Sequence, residues 1–264
     1  MDLQLGGKVV AITGGTTGIG KACALEYLKE GCSVAVCSRN KKKLEHFRAS
    51  CAASGYDKVF CLEADVSVPA SLESFIDATV AYYSRLDIWY NNAGMGIRKP
   101  LMELSLEEWD AVMHLNLRAV FVGSRYAARK MAKTGGGVIV NASSFDMRPP
   151  LAGNGPYTTS KWGVEALTRI MAAEFAPMGI RVFSFAPSMI ETDLTRERIE
   201  ARRGFYAKQT VLNRVGMPED IAPMLVMLTS DAASYFTGTT VEISGGKYCV
   251  QNPQYAWELI KPQT

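Results

Sequence analysis

Short apolar runs alternate with longer amphipathic segments along most of this 264-residue chain. Several short runs are dense in Val and Ile, as in strands that are buried on both faces of a parallel sheet. These runs span residues 9–13, 33–38, 59–64, 86–90, 137–142, 180–186 and 240–243. Helix-period segments lie between them, at residues 21–30, 41–53, 71–83, 106–133, 157–177 and 219–230. The alternation predicts an α/β fold, a doubly wound domain in which helices cover both faces of one seven-stranded parallel sheet.

The bulk composition is that of an ordinary globular protein and excludes several classes. Hydrophobic residues make up 48% and charged residues 21%, and the length suits a single domain over residues 1–264. The net charge of +3 is too small to indicate a nucleic-acid partner. The N-terminus lacks a signal-peptide pattern and no run of 18 apolar residues occurs, so we expect no membrane partner.

The cysteines and histidines argue against a metal centre. Six cysteines occur without a CxxC pair and there are only two histidines, so no metal site is expected. Most cysteines lie in apolar segments, which suits free thiols in a reducing cytosol and predicts a cytoplasmic protein. Two histidines and the lack of a GxSxG motif also disfavour a Ser-His-Asp hydrolase.

The first predicted strand runs directly into a glycine-rich segment, TGGTTGIG, at residues 13–20. Glycines let the backbone turn tightly and approach a pyrophosphate, to which the N-terminus of the following helix offers N–H groups. A tight turn without a ligand would need one glycine, whereas this segment has four. The spacing TGxxxGxG resembles that of the short-chain dehydrogenase/reductase family, and further family motifs continue over residues 7–246. The resemblance implies a Rossmann-type domain that binds a nicotinamide dinucleotide.

The same resemblance places cofactor contacts at the carboxyl ends of successive strands, where ligands bind in open α/β sheets. It implies that Asp65 accepts a hydrogen bond from the adenine amino group and that residues 92–94 form the family's NNAG turn. Ile190, through its backbone, and Thr192 are expected at the nicotinamide carboxamide, although Ser188 stands where the family usually has glycine. The implied cofactor residues are Gly14, Thr16, Thr17, Gly18, Ile19, Gly20, Ser38, Arg39, Asn40, Asp65, Val66, Asn92, Ala93, Gly94, Tyr157, Lys161, Pro187, Ile190 and Thr192.

The end of the second predicted strand indicates which dinucleotide is preferred. Ser38 stands where an NAD-preferring member carries an acidic residue for the ribose 2′-hydroxyl, and Arg39 follows it. A guanidinium pairs well with a 2′-phosphate, and a charge-assisted contact of about 1.5–3 kcal/mol gives a tenfold to hundredfold preference. The prediction is NADP(H). The alternatives are an exposed strand-end arginine without this role, or use of both dinucleotides.

Two segments place tyrosine and lysine four residues apart, YTTSK from Tyr157 and YAARK from Tyr126. Residues at this spacing share a helix face, so Lys161 can bring its charge near the Tyr157 phenol. Ser144 lies thirteen residues before Tyr157, which is the family's serine-to-tyrosine spacing, whereas the same offset from Tyr126 reaches Met113. The pattern therefore favours Tyr157 and Lys161 as the functional pair.

Interconversion of a ketone and a secondary alcohol requires these residue types, because a proton moves on oxygen while hydride moves on carbon. A free tyrosine has a pKa near 10, and lowering it by about three units takes roughly 4 kcal/mol of preferential phenolate stabilisation. Lys161 and the oxidised nicotinamide ring are the available positive charges. Ser144 is expected to hydrogen-bond the substrate oxygen. The resemblance implies that Asn116 organises a water beside Lys161. It also implies that Lys161 holds the hydroxyls of the nicotinamide ribose. The predicted catalytic residues are Asn116, Ser144, Tyr157 and Lys161.

The sequence is compatible with three functions. The leading interpretation is an NADP(H)-dependent ketone reductase or alcohol dehydrogenase for a small-molecule secondary alcohol, alicyclic or steroid-like. The second is a 3-oxoacyl-thioester reductase of fatty acid synthesis. The third is a regulator that senses NADP without turnover, for which the four catalytic residues would be unnecessary. The resemblance also implies a homotetramer or homodimer.

Two segments depart from the regular alternation. Residues 188–216 hold many charges and few apolar anchors, which predicts a loop that covers the substrate. One interpretation is a solvated amphipathic helix; the other is that one of its arginines meets an acidic group on the substrate. The arginines are Arg196, Arg198, Arg202 and Arg203. The tail, residues 247–264, is expected to pack on its own subunit, across an interface or beside the active site.

Overall fold

One sheet forms the centre of the computed structural model, which describes residues 2–260. Its strands are β1 (Val9–Thr13), β2 (Ser33–Ser38), β3 (Val59–Glu63), β4 (Ile88–Asn91), β5 (Gly137–Ala142), β6 (Ile180–Pro187) and β7 (Thr240–Ile243). All seven are parallel and lie in the order β3-β2-β1-β4-β5-β6-β7, which confirms the predicted doubly wound α/β fold. The strand order reverses between β1 and β4, and in such sheets the crevice at the reversal binds ligands.

Helices connect the strands and cover both faces of the sheet. Within the described residues they are α1 (Gly18–Lys29), α2 (Lys41–Ala53), α3 (Pro69–Tyr83), α4 (Leu106–Met113), α5 (Ala119–Met131), α6 (Gly155–Phe175), α7 (Arg196–Ala207), α8 (Pro218–Thr229) and α9 (Tyr255–Leu259). None of these helices is long and apolar enough to cross a bilayer.

Strand β1 shows how the two faces of the sheet are filled. Val10 and Ile12 pack into a core shared with α1, α2 and α8. Val9 and Ala11 point to the other side, into a core shared with α3, α5 and α6. Since both faces are buried, the strand is a continuous apolar run rather than an alternating one, as the sequence predicts.

Several helices begin earlier than predicted, and proline explains the shift of two residues in α6 and in α3. Helix α6 begins at Gly155 with Pro156 in its first turn, and α3 begins at Pro69. Proline suits the first turn because its fixed φ matches the helix and its missing N–H has no intrahelical partner there.

The helix predicted over residues 106–133 is helical throughout, but its geometry changes within the run. A π-helical segment, His114–Arg118, separates α4 from α5. Asn116 lies in this segment, where its side-chain amide bonds the backbone of Met95 on the loop after β4. The wider π-helical turn changes the direction of the Asn116 side chain, and π-helical turns are frequent at functional sites.

Residues 188–216 contain a helix, α7, where the sequence predicted a loop. Ile199 is its one fully buried side chain, and Arg202 interrupts the helical backbone with a φ of −145°. A single buried anchor leaves too little apolar periodicity to predict a helix, because helix prediction rests on a repeated apolar face. Residues 196–207 are therefore a largely solvated helix, and whether one of its arginines meets the substrate stays a prediction.

The described part of the tail, residues 247–260, packs on its own chain. The ring of Tyr248 lies 5.2 Å from that of Phe145, centroid to centroid. The Trp257 indole N–H donates to the carbonyl oxygen of Val211 over 2.9 Å. Residues 261–264 of the predicted tail lie outside the described residues.

Candidate active site

A cavity of about 680 Å³ opens at the carboxyl ends of the strands and is called the large cavity here. The crevice between β1 and β4 lies within it, as the strand order requires. Its lining brings together most of the predicted cofactor residues, namely Gly14, Thr16, Thr17, Gly18, Ile19, Ser38, Arg39, Asn40, Asp65, Val66, Asn92, Ala93, Gly94, Tyr157, Lys161, Pro187 and Thr192.

The glycine-rich turn between β1 and α1 has the geometry of an anion cradle. Gly14 and Gly18 have φ of +65° and +54°, a region that favours glycine. A Cβ on Gly18 would also lie 3.0 Å from the Thr192 side chain. Thr17, the N-cap of α1, makes no side-chain capping bond, so the first-turn N–H groups are available to a bound anion. These features fit the pyrophosphate of a dinucleotide.

Asn92 ties the glycine turn to the end of β4. Its side-chain amide donates to the carbonyl oxygens of Thr13 (3.0 Å) and Gly14 (3.1 Å). In return, the Thr13 hydroxyl accepts from the backbone N–H groups of Asn92 (2.9 Å) and Ala93 (3.0 Å). Gly20 belongs to the same closely packed region, since a Cβ there would lie 2.6 Å from the Gly14 carbonyl oxygen. Gly20 therefore shapes the turn without lining the cavity.

The end of β2 presents a cation to the large cavity. Arg39 Nη1 lies 3.8 Å from Asp65 Oδ2, and 67% of the Arg39 side chain is exposed. Partial burial acts to raise the pKa of Asp65, but hydrogen bonds from Ser67 and the charge of Arg39 outweigh it and lower the pKa. Such an exposed guanidinium, held by one loose ion pair, suits contact with a phosphate.

A second cavity of about 310 Å³, called the small cavity, adjoins the large one. The two share Tyr157, Pro187 and Leu194 in their linings. The remaining residues of the small cavity are Gly96, Arg98, Ser144, Asp146, Asn154, Ser188, Met189, Thr195, Arg198 and Lys247.

Tyr157 and Ser144 meet at the boundary of the two cavities. Burial raises the pKa of the Tyr157 phenol, while a hydrogen bond with the Ser144 hydroxyl opposes this rise. Without cofactor, the Tyr157 phenol is therefore protonated at neutral pH. The lowered pKa of Tyr157 that the sequence analysis predicted would need the positive charge of the oxidised nicotinamide ring as well. The neighbouring Ser143 points elsewhere, because its hydroxyl donates to the Lys161 carbonyl oxygen over 3.4 Å.

Lys161 is deeply buried beside Tyr157. Its ammonium lies 5.6 Å from the centre of the Tyr157 ring and donates to the Ala142 carbonyl oxygen over 2.8 Å. Because the side chain is only 3% exposed, burial lowers the pKa of Lys161 to about 8.

Asn116 lies under the large cavity and does not line it. Its Oδ1 accepts from the Met95 N–H (2.9 Å), and its Nδ2 donates to the Met95 carbonyl oxygen (2.8 Å) and the Ser160 hydroxyl (3.1 Å). A Cβ on Gly94 would lie 3.4 Å from Asn116 Oδ1 and 3.6 Å from Lys161 Nζ. Asn116 Oδ1 and Lys161 Nζ therefore both lie close to Gly94.

Two residues discussed from the sequence lie outside both cavity linings, and the backbone contact expected of Ile190 stays a prediction. Ile190 is buried in the core, and its carbonyl oxygen accepts from the Thr195 hydroxyl, so its side chain does not line the large cavity. Arg203 donates to Glu191 over 2.8 Å and does not line the small cavity, whereas Arg198 does.

Several residues of the small cavity were not identified from sequence, among them Arg98, Asp146, Asn154 and Lys247. Asn154 precedes Tyr157 by three residues, a spacing that could have indicated it. Arg98 and Lys247 come from the loop after β4 and the start of the tail, and no local pattern marks either one.

Comparison with known proteins points to a single family. The family model described as enoyl-(acyl carrier protein) reductase matches residues 14–247. D-threitol dehydrogenase of Mycolicibacterium smegmatis is 34% identical over 93% of this chain and 94% of its own. 3beta-Hydroxysteroid dehydrogenase 1 of Eggerthella lenta is 37% identical over 92% and 94%. The 3-oxoacyl-[acyl-carrier-protein] reductase FabG of Thermotoga maritima is 35% identical over 92% and 99%.

A solved structure agrees with these relatives. The short-chain type dehydrogenase/reductase of Mycobacterium marinum superposes with a TM-score of 0.88 at 33% identity, covering 94% of this chain and 98% of that one. The fold, the site and these matches define an oxidoreductase with a Rossmann-type domain. The chain belongs to the short-chain dehydrogenase/reductase family, whose members use a nicotinamide cofactor, NAD(P)(H).

Proposed function

We propose that this protein is an NADP(H)-dependent oxidoreductase that interconverts a ketone and a secondary alcohol, with Tyr157 as general acid and base. The observation that carries the proposal is that Tyr157 lines both cavities. The large cavity has a glycine cradle that fits a dinucleotide, and the small cavity has room for a reacting molecule. When bound, the nicotinamide cofactor supplies or accepts the hydride.

Tyr157 and Ser144 act on the substrate oxygen. In reduction, the Tyr157 hydroxyl donates its proton to the carbonyl oxygen; in oxidation, the phenolate takes the proton from the alcohol. The Ser144 hydroxyl holds this oxygen in line. Burial raises the pKa of this phenol, so the cofactor-free protein holds the proton that the reduction would use.

Lys161 and Asn116 support this proton transfer. The buried ammonium of Lys161 stabilises the phenolate and faces the large cavity, where it can donate to ribose hydroxyls. Asn116 is proposed to hold a water next to Lys161. That role is supported by the approach of both side chains to Gly94, at the distances given above.

We propose NADP(H) as the preferred cofactor because of Arg39. Its exposed guanidinium lines the large cavity beside Ser38, with no acidic residue at position 38 to repel a phosphate. Lys43 also lines the cavity, where its ammonium lies 3.3 Å from Asp193 Oδ2.

A 3-oxoacyl-thioester reductase is the second candidate, favoured by the likeness to the FabG reductases. The likeness to the steroid and threitol dehydrogenases favours an alicyclic or polyol substrate instead. A regulator that binds NADP without turnover is the remote alternative.

We further propose a homotetramer or homodimer in the cytoplasm. Apolar side chains on α5 and α6 are partly exposed, including Phe121 (43%), Trp162 (44%) and Ile170 (50%), and a partner subunit would cover them. Cys23, Cys32, Cys37 and Cys51 are buried free thiols, which suits a reducing compartment. Light scattering of the purified protein measures the oligomeric state.

The test is NADPH oxidation over a panel of ketones, with NADH in parallel. The panel contains cyclic diketones, oxo-steroids, aryl ketones, sugar ketones and a 3-oxoacyl thioester. Turnover of one class that disappears in Tyr157→Phe is the expected result, and the class identifies the substrate type. Tight NADPH binding with no turnover of any ketone would instead favour the regulator.

A further inference from the structure

Three cations converge on the small cavity from distant parts of the chain. Arg98 lies on the loop after β4, Arg198 on α7 and Lys247 at the start of the tail. Asp146 is the one carboxylate in the lining. Counted by formal charge, the cavity wall beside Tyr157 is therefore positive.

These three cations have no counter-ion within the part of the chain that the structure describes. None of them has a carboxylate within 4.0 Å, and none of their side chains donates a hydrogen bond there. Asp146 Oδ2 accepts from the Asn154 amide over 2.9 Å, and the charge of Asp146 offsets part of the positive charge near Lys247. By formal charge the wall keeps an excess of two positive charges, which an anionic ligand would neutralise.

Lys247 is the most buried of the three cations. It is only 9% exposed, and its ammonium lies 5.7 Å from the centre of the Phe145 ring and 5.0 Å from that of Tyr248. Burial lowers the pKa of Lys247, and the charge of Arg98 lowers it further, while Asp146 opposes both. The two rings compensate for part of the water that the buried ammonium loses, but no carboxylate lies within 4.0 Å of it among the described residues, so an anionic ligand would add to its stabilisation.

The other arginines of α7 have partners among the described residues. Arg203 pairs with Glu191 over 2.8 Å, and Arg196 lies 3.5 Å from Asp193. Arg202 lies over the Phe205 ring at 4.2 Å. Arg198 differs from them in that it lines the small cavity, close enough to Tyr157 for its charge to lower the phenol pKa.

We propose that the substrate carries an anionic group, a carboxylate or a phosphate, which binds between Arg98, Arg198 and Lys247 while its reacting oxygen lies at Tyr157. This inference rests on the proposed ketone–alcohol reaction and narrows its substrate class. A cavity of about 310 Å³ holds a small molecule, so the anion lies within a few bonds of the reacting carbon. The distant phosphate of an acyl-carrier thioester would lie outside it.

Matched ketone pairs test the inference, each an anion and a neutral compound of similar shape. The carboxylate pair is 4-oxocyclohexanecarboxylate and its methyl ester; the phosphate pair is dihydroxyacetone phosphate and dihydroxyacetone. The wild-type protein should favour the anion of at least one pair by about tenfold to a hundredfold in kcat/KM. The pair that shows the preference tells carboxylate from phosphate.

Variants assign the preference to the cations. Arg198→Gln and Lys247→Met should each lower the anion-to-neutral ratio of kcat/KM by about tenfold or more, chiefly through KM. Arg203→Gln is the matched control from the same helix and should leave this ratio unchanged. If Arg98, Arg198 and Lys247 merely stabilise the fold, their variants would lower the activity toward both members of a pair equally.

A binding measurement separates failure of this inference from failure of the proposed reaction. Calorimetry with the NADPH complex of Tyr157→Phe detects the anionic ketones without turnover. If an anionic ketone binds, and binds more weakly once Arg198→Gln is added, the result supports an anion site at the three cations even if no ketone is reduced. Equal binding of the anionic and neutral members, or no binding of either anion, overturns the inference while leaving the proposed reaction to its own test.

Discussion

The Tyr126 hydroxyl donates a hydrogen bond to Asp77 Oδ2 over 2.7 Å, and Lys130 forms an ion pair with the same carboxylate. The ammonium and the phenol of this YxxxK segment are thus bound to one acidic residue on the surface between α3 and α5. Tyr157 and Lys161, by contrast, line the large cavity. Identical spacing on two helices therefore gives an ion cluster in one place and a candidate proton-transfer pair in the other.

Tyr157→Phe should lower kcat by about 10²- to 10⁴-fold, because it removes the proton donor and keeps the ring. The dissociation constant for NADPH, measured by fluorescence titration, should change little. Tyr126→Phe is the matched control, and its kcat should stay within about twofold of wild type. Retained activity in Tyr157→Phe would show that another group carries the proton.

Arg39→Ala should lower the ratio of kcat/KM with NADPH to that with NADH by about tenfold to a hundredfold, because one charge-assisted phosphate contact is lost. Steady-state kinetics with a saturating ketone provide the measurement. Arg48→Ala is a suitable control, since Arg48 donates to the Cys61 carbonyl oxygen and does not line the large cavity. An unchanged ratio in Arg39→Ala would refute the assignment of NADP(H) preference to this residue.

Gly20→Ala should destabilise the protein by about 1–3 kcal/mol, because the new Cβ would overlap the Gly14 carbonyl oxygen and the Asn92 amide. Cofactor affinity should fall with it, since the same atoms shape the glycine turn. Thermal unfolding with and without NADPH measures both effects. Gly204→Ala is the control in helix α7, where nothing lies within 4 Å of the added Cβ, so its stability should be unchanged or slightly higher.

Lys161→Met should change how stability depends on pH. The folded pKa of Lys161, about 8, lies below the unfolded value of 10.5, so the unfolded chain binds this proton more tightly. Wild-type stability should therefore gain up to about 3 kcal/mol as pH rises from 8 to 10.5, relative to Lys161→Met. Urea unfolding of the cofactor-free proteins across this window gives the difference.

Lys130→Met provides the control for that pH profile. Asp77 raises the pKa of Lys130, so the stabilisation by this pair is complete below the unfolded value and declines only above it. Its difference from wild type should be flat between about pH 7 and pH 10. A flat profile for Lys161→Met as well would mean that burial does not depress the Lys161 pKa in the folded state.

Much of the fold follows from local pattern alone. A strand buried on both faces must be a continuous apolar run, which is why the seven strands were predicted to within two residues at each end. The glycine spacing likewise indicates the turn after β1, because only glycine adopts the positive φ found at Gly14 and Gly18 without strain. Tyr157, Lys161 and Ser144 were found through spacing on one helix and one strand end.

Features that depend on contacts between distant parts of the chain could be seen only in the tertiary structure. The π-helical segment at Asn116 depends on a bond to Met95, twenty-one residues away, and no helical periodicity records it. Arg98, Arg198 and Lys247 meet only because the loop after β4, α7 and the tail converge beside Tyr157. Sequence thus determined the sheet, the glycine turn and the pairing of Tyr157 with Lys161, which are set by neighbours along the chain. The charge of the small cavity is set by residues far apart in sequence, so only the folded chain reveals it.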